Sequence, residues 1–305
     1  MTRIGYLFLL IVFCVLAGKG WHAVKDGFNI NRVIPLAVQK SAFNPQENGL
    51  EAIALPDADE RVVPALQQTY SYLGRGHQCY AFGSTDGRYV LKLPRYDRYE
   101  LSFFLRSFPF PFFSEYKEKI RTDLRFRFQF IHNSFAIAFN ELKGDTGLVY
   151  LHLCPTEDLS GTLKIIDRIG NTYSLDPNKT PFILQEKKPI MMAIFVERLE
   201  QGDRKGAEEI LDSFLELLAR RSKKEIYNKD PSFLRNFGYE EGKGYQIDIG
   251  SYYQKGEKMD RLAFEKSFQD TIGPVYEWLS KVDPLMGRIF HEKVEEIRGR
   301  EAEWF

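Results

Sequence analysis

An α+β chain of two unequal lobes is what this sequence predicts, a small mixed or antiparallel sheet lobe with one long helix followed by a larger, mainly helical lobe. Three observations predict it. Residues 69–94 alternate apolar and polar positions between glycine-bearing turns, as half-buried strands do. Leu124, Phe128, Ile131, Phe135 and Ala138 recur every three or four positions, which puts them on one face of a helix. After Pro189 the texture changes to amphipathic helical stretches over Ala207–Arg221 and residues 260–300. The length of 305 residues suits one large domain or two lobes behind a leader. With 44% hydrophobic and 28% charged residues the chain can bury a core and is not a disordered protein.

From the N-terminus, Ile4–Gly18 carries no charge, with Arg3 before it and Lys19 behind. Its length fits the apolar region of a secretory signal better than a full membrane span, and Val15-Leu16-Ala17 offers a small-residue exit for cleavage after Ala17. Gly20, Trp21, Ala23 and Val24 can instead extend it into a short anchor, and Lys19, Lys25 and Arg32 outnumber Arg3, a bias that leaves the body in the cytoplasm. Residues 1–24 are therefore read as a signal peptide or membrane anchor. A membrane-associated protein with a cytoplasm-facing body is the expectation, and secretion after cleavage the alternative. Residues 25–66, rich in Pro, Asn and Asp, read as a linker lying against a domain.

The sheet lobe is placed over residues 67–188. Thr69–Pro94 reads as three strands, with Asp86-Gly87 making a two-residue hairpin turn between the second and third. Ser114–Leu142 reads as helix ending before Gly144, and 147–154, 163–169 and 181–188 as further strands. The segment FPFPFF at 108–113 is too proline-rich for a helix and fills a groove or touches lipid. The helical lobe is placed over residues 189–305.

Composition excludes some functions. Lys+Arg and Asp+Glu are balanced at 42 each, so no overall positive field draws nucleic acid, and none is expected as a partner. Three cysteines, Cys14, Cys79 and Cys154, are too few and scattered for a disulfide framework or a zinc site. His77 and Cys79 allow a Cys–His hydrolase to be drawn, but no third group is recognisable; His132 and His152 read as packed or surface histidines.

The chemistry-bearing residues lie in two stretches. YLGRGHQCYAFGSTDGRYVLKL holds Gly74-x-Gly76, Ala81-Phe82 and, on the strand after the hairpin, Lys92. Glycines let backbone N–H groups approach a phosphate, and a lysine on the neighbouring strand can neutralise it. Downstream, NKDPSFLRNFGYEEGKGYQIDIGSY supplies Asp230, Asn236 and the triplet Asp248-Ile249-Gly250, an oxygen-rich set suited to Mg²⁺.

In their order, Gly-x-Gly, the Val-Leu-Lys lysine, Asp…Asn and Asp-Ile-Gly resemble the protein-kinase-like superfamily, including small-molecule relatives such as the aminoglycoside phosphotransferases. The resemblance covers roughly residues 67–255 and implies a two-lobed kinase-like fold using ATP and Mg²⁺. It implies that Gly74 and Gly76 cover the phosphates, that Lys92 holds the α- and β-phosphates, and that Asp230 orients or deprotonates the acceptor. Asn236 and Asp248 would bind the metal, and Gln185-Glu186 would fall near the hinge that cups adenine, with Glu186 among the nucleotide-binding residues. The sequence departs from the family where Asp230 and Asn236 are six apart instead of five and where Asn228-Lys229 replaces the usual His-Arg or His-Gly. The glutamate that should pair with Lys92 stays open among Glu115, Glu118 and Glu141. An atypical kinase with a protein or small-molecule acceptor is the expectation; a catalytically inactive pseudokinase acting as a membrane- or envelope-associated scaffold is the alternative, and an unrelated secreted α+β binding protein a third reading.

Overall fold

The computed structural model describes residues 12–13, 16–21, 23–33, 60–102, 105, 114–254 and 261–301. Most of the apolar leader and the FPFPFF segment lie outside the described residues. Among the described residues no helix is long and apolar enough to cross a membrane. The chain divides into two compact units, residues 1–124 with 149–187 and residues 125–148 with 188–305. The second begins at Lys188, one residue before the expected lobe boundary, and takes in residues 125–148 of the long helix, which the sequence places with the sheet.

The first unit is built on a mixed sheet of seven strands. These are β1 (Thr69–Arg75), β2 (Cys79–Ser84), β3 (Tyr89–Pro94), β4 (Leu148–His152), β5 (Leu163–Ile166), β6 (Thr172–Leu175) and β7 (Phe182–Glu186), in the order β4-β7-β3-β2-β1-β5-β6. β1, β2 and β3 form an antiparallel meander, β7 adds antiparallel to β3, and β5 runs parallel to β1. β6, whose short Thr-Tyr-Ser-Leu run sits next to Asp176-Pro177, was not visible as a strand in the sequence; it is held as the antiparallel partner of β5. The β2–β3 connection differs from the expected two-residue turn. Four residues, Thr85–Arg88, link the strands, with Gly87 at φ +73°, because Ser84 and Asp86 side chains close a wider loop.

One sheet face is aromatic. Tyr72 stands opposite Phe82, and Tyr80 opposite Leu93, and across them lies Phe28, 3% exposed. Its ring meets Tyr80, Phe82 and Tyr173 edge-on at 5.1, 5.5 and 5.8 Å, the tilted geometry that ring quadrupoles favour. Polar bonds fasten the same stretch: Tyr80 Oη donates to Gly27 O at 2.7 Å, Tyr72 Oη to Asp26 at 2.8 Å, and Arg75 pairs with Asp26 at 3.5 Å. The predicted linker thus begins as a strap bound to the sheet. A short helix, α1 (Val62–Leu66), precedes β1 and buries Val62, Ala65 and Leu66.

The long helix α2 spans Ser114–Thr146 and runs past the expected stop at Leu142, where φ is −124° and the helix is kinked. Its buried residues include Phe128, Ile131, Phe135 and Ala138, four of the five positions of the sequence stripe. The second unit adds α3 (Met191–Glu200), α4 (Arg204–Lys223), α5 (Phe233–Asn236), α6 (Arg261–Val282) and α7 (Pro284–Glu301). α4 starts three residues before the sequence pattern, at an N-cap made by Asp203, whose carboxylate accepts from Gly206 N at 2.9 Å. Two small ladders complete it: β8 (Tyr227–Asn228) with β11 (Tyr252–Tyr253), and β9 (Phe237–Glu240) with β10 (Lys243–Gln246). Its core gathers Phe214, Leu215 and Leu218 of α4 with Phe268, Ile272 and Leu279 of α6 and Phe290 of α7.

Candidate functional site

In the sheet unit the register decides what shares a face. Gly74 stands opposite Ala81, Ala81 opposite Lys92, and Lys92 opposite Ile183, so these four lie in one row across β1, β2, β3 and β7. Alternation puts that row on the side away from Tyr80, Phe82 and Phe28. The two smallest members, Gly74 and Ala81, leave the backbone of β1 and β2 accessible beside the half-buried Lys92.

The glycine turn is closed by its own bonds. Gly76 N donates to Cys79 O at 2.9 Å, and Gly76 O accepts from Arg95 Nη1 at 3.1 Å. Gly74 sits at an irregularity of the β1–β2 register. The turn also gathers cations that the sequence reading missed: Arg95, 7% exposed, and Arg98, whose Nη2 lies 2.8 Å from His77 Nε2. Their only sequence signal is the pattern RYDR following the third strand. At the end of β7, the Glu186 carboxylate is ion-paired with Arg61.

In the helical unit hydrogen bonds link the stretches that carry three predicted residues, Asp230 and Asp248 on loops and Asn236 at the end of α5. Asp230 is exposed just after β8, and its N–H donates to Asn228 Oδ1 at 2.8 Å. Asn236 is 7% exposed and its Nδ2 donates to Asp230 O at 2.9 Å. The one-turn helix α5 lies between them and accommodates the six-residue spacing. Ile247 N donates to Asn236 O at 2.9 Å, which sets Asp248 beside Asn236. Asp248 Oδ1 accepts from Gly250 N at 3.3 Å.

Residues far away in sequence hold this arrangement. Ser134 of α2 is fully buried; its Oγ donates to Ile249 O and accepts from Tyr252 N, both at 2.6 Å. Lys229 N donates to Ser251 O at 3.0 Å, and the Lys229 ammonium lies 4.0 Å from the centre of the Phe130 ring. Arg221 of α4, 3% exposed, donates from Nη1 to Gln246 Oε1 at 2.8 Å and steadies the strand leading to Asp248. Burial pushes the Arg221 guanidinium below its ordinary range and the Tyr252 phenol above its own. None of these three supports was visible in the sequence, where a serine inside a helix and an arginine near a helix end carry no signal.

Asn236 and Asp248 carry side-chain oxygens of the kind that Mg²⁺ takes. Mg²⁺ takes one or two protein oxygens and fills its octahedron with phosphate and water. The Asn236 amide nitrogen is committed to Asp230 O, which turns its oxygen to other partners, and Asp248 follows the residue bonded to Asn236. Among the described residues no group of three or more His, Cys, Asp or Glu side chains is placed to hold a metal, so a site formed by protein carboxylates and imidazoles alone is not present there. The buried histidines are packing residues. Burial pushes His132 down to about 3, and His152 stacks on Phe182 while bonded to Thr180 O.

Asp230 also stands on a cleft of about 400 Å³ within the helical unit, opposite residues of α6.

No known protein family and no curated protein matches the sequence. Among solved structures, the 2.2 Å structure of WbdD is 16% identical over 72% of this chain and 44% of its own, with a TM-score of 0.33. A further WbdD structure, described as a bifunctional kinase-methyltransferase, is 17% identical over 72% of this chain and 43% of that one, at a TM-score of 0.30. Rv3197 from Mycobacterium tuberculosis, in complex with erythromycin, is 14% identical over 88% of this chain and 74% of that one, at 0.32. The chain spans less than half the length of the WbdD chains it matches. TM-scores of this size carry no argument about function, which rests instead on the chain's own residues.

Proposed function

We propose that this chain is an atypical kinase-like phosphotransferase that moves the γ-phosphoryl group of ATP to a hydroxyl acceptor. The observation that carries the reading is the row Gly74–Ala81–Lys92, which joins a small-residue platform to a cation on one sheet face, on the third strand where kinases keep their phosphate lysine. Asn236 and Asp248 would hold Mg²⁺, which when bound neutralises charge on the phosphates. Asp230 would accept the proton of the acceptor hydroxyl as that oxygen bonds to the γ-phosphorus; the bond from phosphorus to the bridging oxygen breaks, and ADP leaves. Lys92 would hold the α- and β-phosphates in position, so most of the rate gain comes from alignment and charge neutralisation.

One observation favours a second reading, an inactive nucleotide- or protein-binding scaffold. The Gly76 N–H, expected to face phosphate, is spent on Cys79 O. We also propose attachment to a membrane through the N-terminal segment, with the body facing the cytoplasm. The apolar run with cationic flanks at Lys19, Lys25 and Arg32 supports this. Protease protection of the body in sealed inverted membrane vesicles would refute it.

Thermal unfolding of the full chain with and without Mg²⁺·ATP tests the site. A ligand at a hundredfold excess over its Kd stabilises the native state by about 2.7 kcal/mol, so the midpoint should rise by several degrees. Asp248→Ala should abolish the Mg²⁺-dependent part of the rise, and Lys92→Ala should reduce the whole of it. An unchanged rise in Asp248→Ala would overturn the metal assignment. Binding without turnover against any acceptor would favour the scaffold.

A further inference from the structure

The cleft beside Asp230 specifies a class of acceptor. It lies wholly within the helical unit, between the stretch after β8 and one face of α6, and holds about 400 Å³, enough for a drug-sized molecule. Its walls are mainly apolar. Phe233 forms a fixed part, 5% exposed and packed edge-on against Phe214 at 4.7 Å; Val275 and the Trp278 ring, itself set edge-on to Phe195 at 6.0 Å, face it from α6. Asp230, Asp270, Ser232 and Thr271 are its polar lining residues. Among the described residues no lysine, arginine or histidine lines it.

These features select by charge and shape. The two carboxylates lining the cleft repel phosphorylated or carboxylated molecules and attract ammonium groups, and the indole of Trp278 adds to the attraction for a cation. An apolar body is needed to use the Phe233–Val275–Trp278 surface, which a purely polyhydroxylated molecule would leave unmatched. Asp230, the proposed proton acceptor, sits at the same cleft, so a hydroxyl on the bound molecule falls within its reach.

Resting on the phosphotransferase reading, we infer that this cleft is the acceptor site and takes a small hydroxyl-bearing molecule with an apolar body and no negative charge, cationic forms binding best. Three probes share one aromatic body and one benzylic hydroxyl and differ in charge: 2-amino-1-phenylethanol, 1-phenylethane-1,2-diol and mandelate. Ligand-observed NMR titration of the full chain, without nucleotide, measures their relative affinities. The amino alcohol should bind about tenfold more tightly than mandelate, a difference of about 1.4 kcal/mol, with the diol between. Asp270→Asn, an exposed change on α6, should shrink that ratio at least threefold. Equal binding of the three, preference for mandelate, an unaltered ratio in Asp270→Asn, or no binding of any probe at millimolar concentration would each overturn the assignment. The outcome is separable from that of the parent reading. Charge-ordered binding with no Mg²⁺·ATP stabilisation would keep the cleft and remove the kinase, and the reverse pattern would keep the kinase and remove this acceptor class.

Discussion

In the sheet unit Lys92 is placed by ladder register, between Ala81 of β2 and Ile183 of β7. In the helical unit Asp230 and Asp248 sit on stretches with little regular structure, fixed by a few hydrogen bonds from Ser134, Asn236 and Lys229. The difference is one of redundancy. A strand position is held by many bonds at once, so losing one side chain costs packing but not register. A loop position held by one buried hydroxyl loses its geometry with that hydroxyl. Mutations should therefore divide the units: in the first they act on stability, in the second on ligand geometry as well.

The largest expected effect tests the strap on the sheet. Phe28→Ala removes a ring packed among Tyr80, Phe82 and Tyr173 and should cost about 3–5 kcal/mol, as truncation of a buried phenylalanine does. Urea denaturation of the full chain measures it. A loss below about 1 kcal/mol would show that the surrounding site collapses to fill the space, and that the strap is dispensable to the sheet.

Next in size is Ser134→Ala. It leaves Ile249 O and Tyr252 N without their side-chain partner in a buried place, at about 1–3 kcal/mol for each group left unsatisfied. The contrast between units predicts a second consequence. The Mg²⁺-dependent rise in midpoint should fall by more than the loss of stability accounts for, because Asp248 is one residue from the released carbonyl of Ile249. Loss of stability with a full Mg²⁺-dependent rise would make Ser134 a packing residue and end the contrast drawn above.

How much of this was legible in the sequence follows from the same difference. Strands β1, β2, β3 and β7 could be read because each is a local alternation, and the long helix because its stripe repeats within its own turns. β6 was missed because four residues, Thr172–Leu175, alternate too briefly to stand out from a turn. Helix α3 was missed because Met191-Met192 and Phe195 give an apolar run without a polar face. At the candidate site the oxygen-bearing residues were legible as types in order, while their supports were not. Ser134 acts on residues 115 and 118 positions away, and nothing in either neighbourhood marks the pairing. The four-residue β2–β3 loop escaped for a related reason. Asp86-Gly87 signals a tight turn, but the hydroxyl of Ser84 and the amide of Gln68 compete for Asp86 and open it.

That loop gives the smallest and most specific effect. The Asp86 carboxylate accepts from Ser84 Oγ at 2.6 Å, Gln68 Nε2 at 2.9 Å, Arg88 N at 3.0 Å and Arg88 Nε at 3.1 Å. What little burial it has acts to raise its pKa; these donors outweigh that and draw it down to about 2 from 3.8. A carboxylate with a depressed folded-state pKa contributes stability that is fully present above the unfolded value and lost as pH falls through the folded one. The contribution of Asp86 should hold from neutrality to about pH 4 and fade toward pH 2. The residue is exposed, so solvent screening trims the effect of Asp86→Asn to about 1 kcal/mol at pH 7. Urea midpoints of wild type and variant should converge as pH falls below 4. A gap for Asp86→Asn that persists unchanged to pH 2.5 would mean that the loop is held by the Gly87 turn geometry and not by the charge.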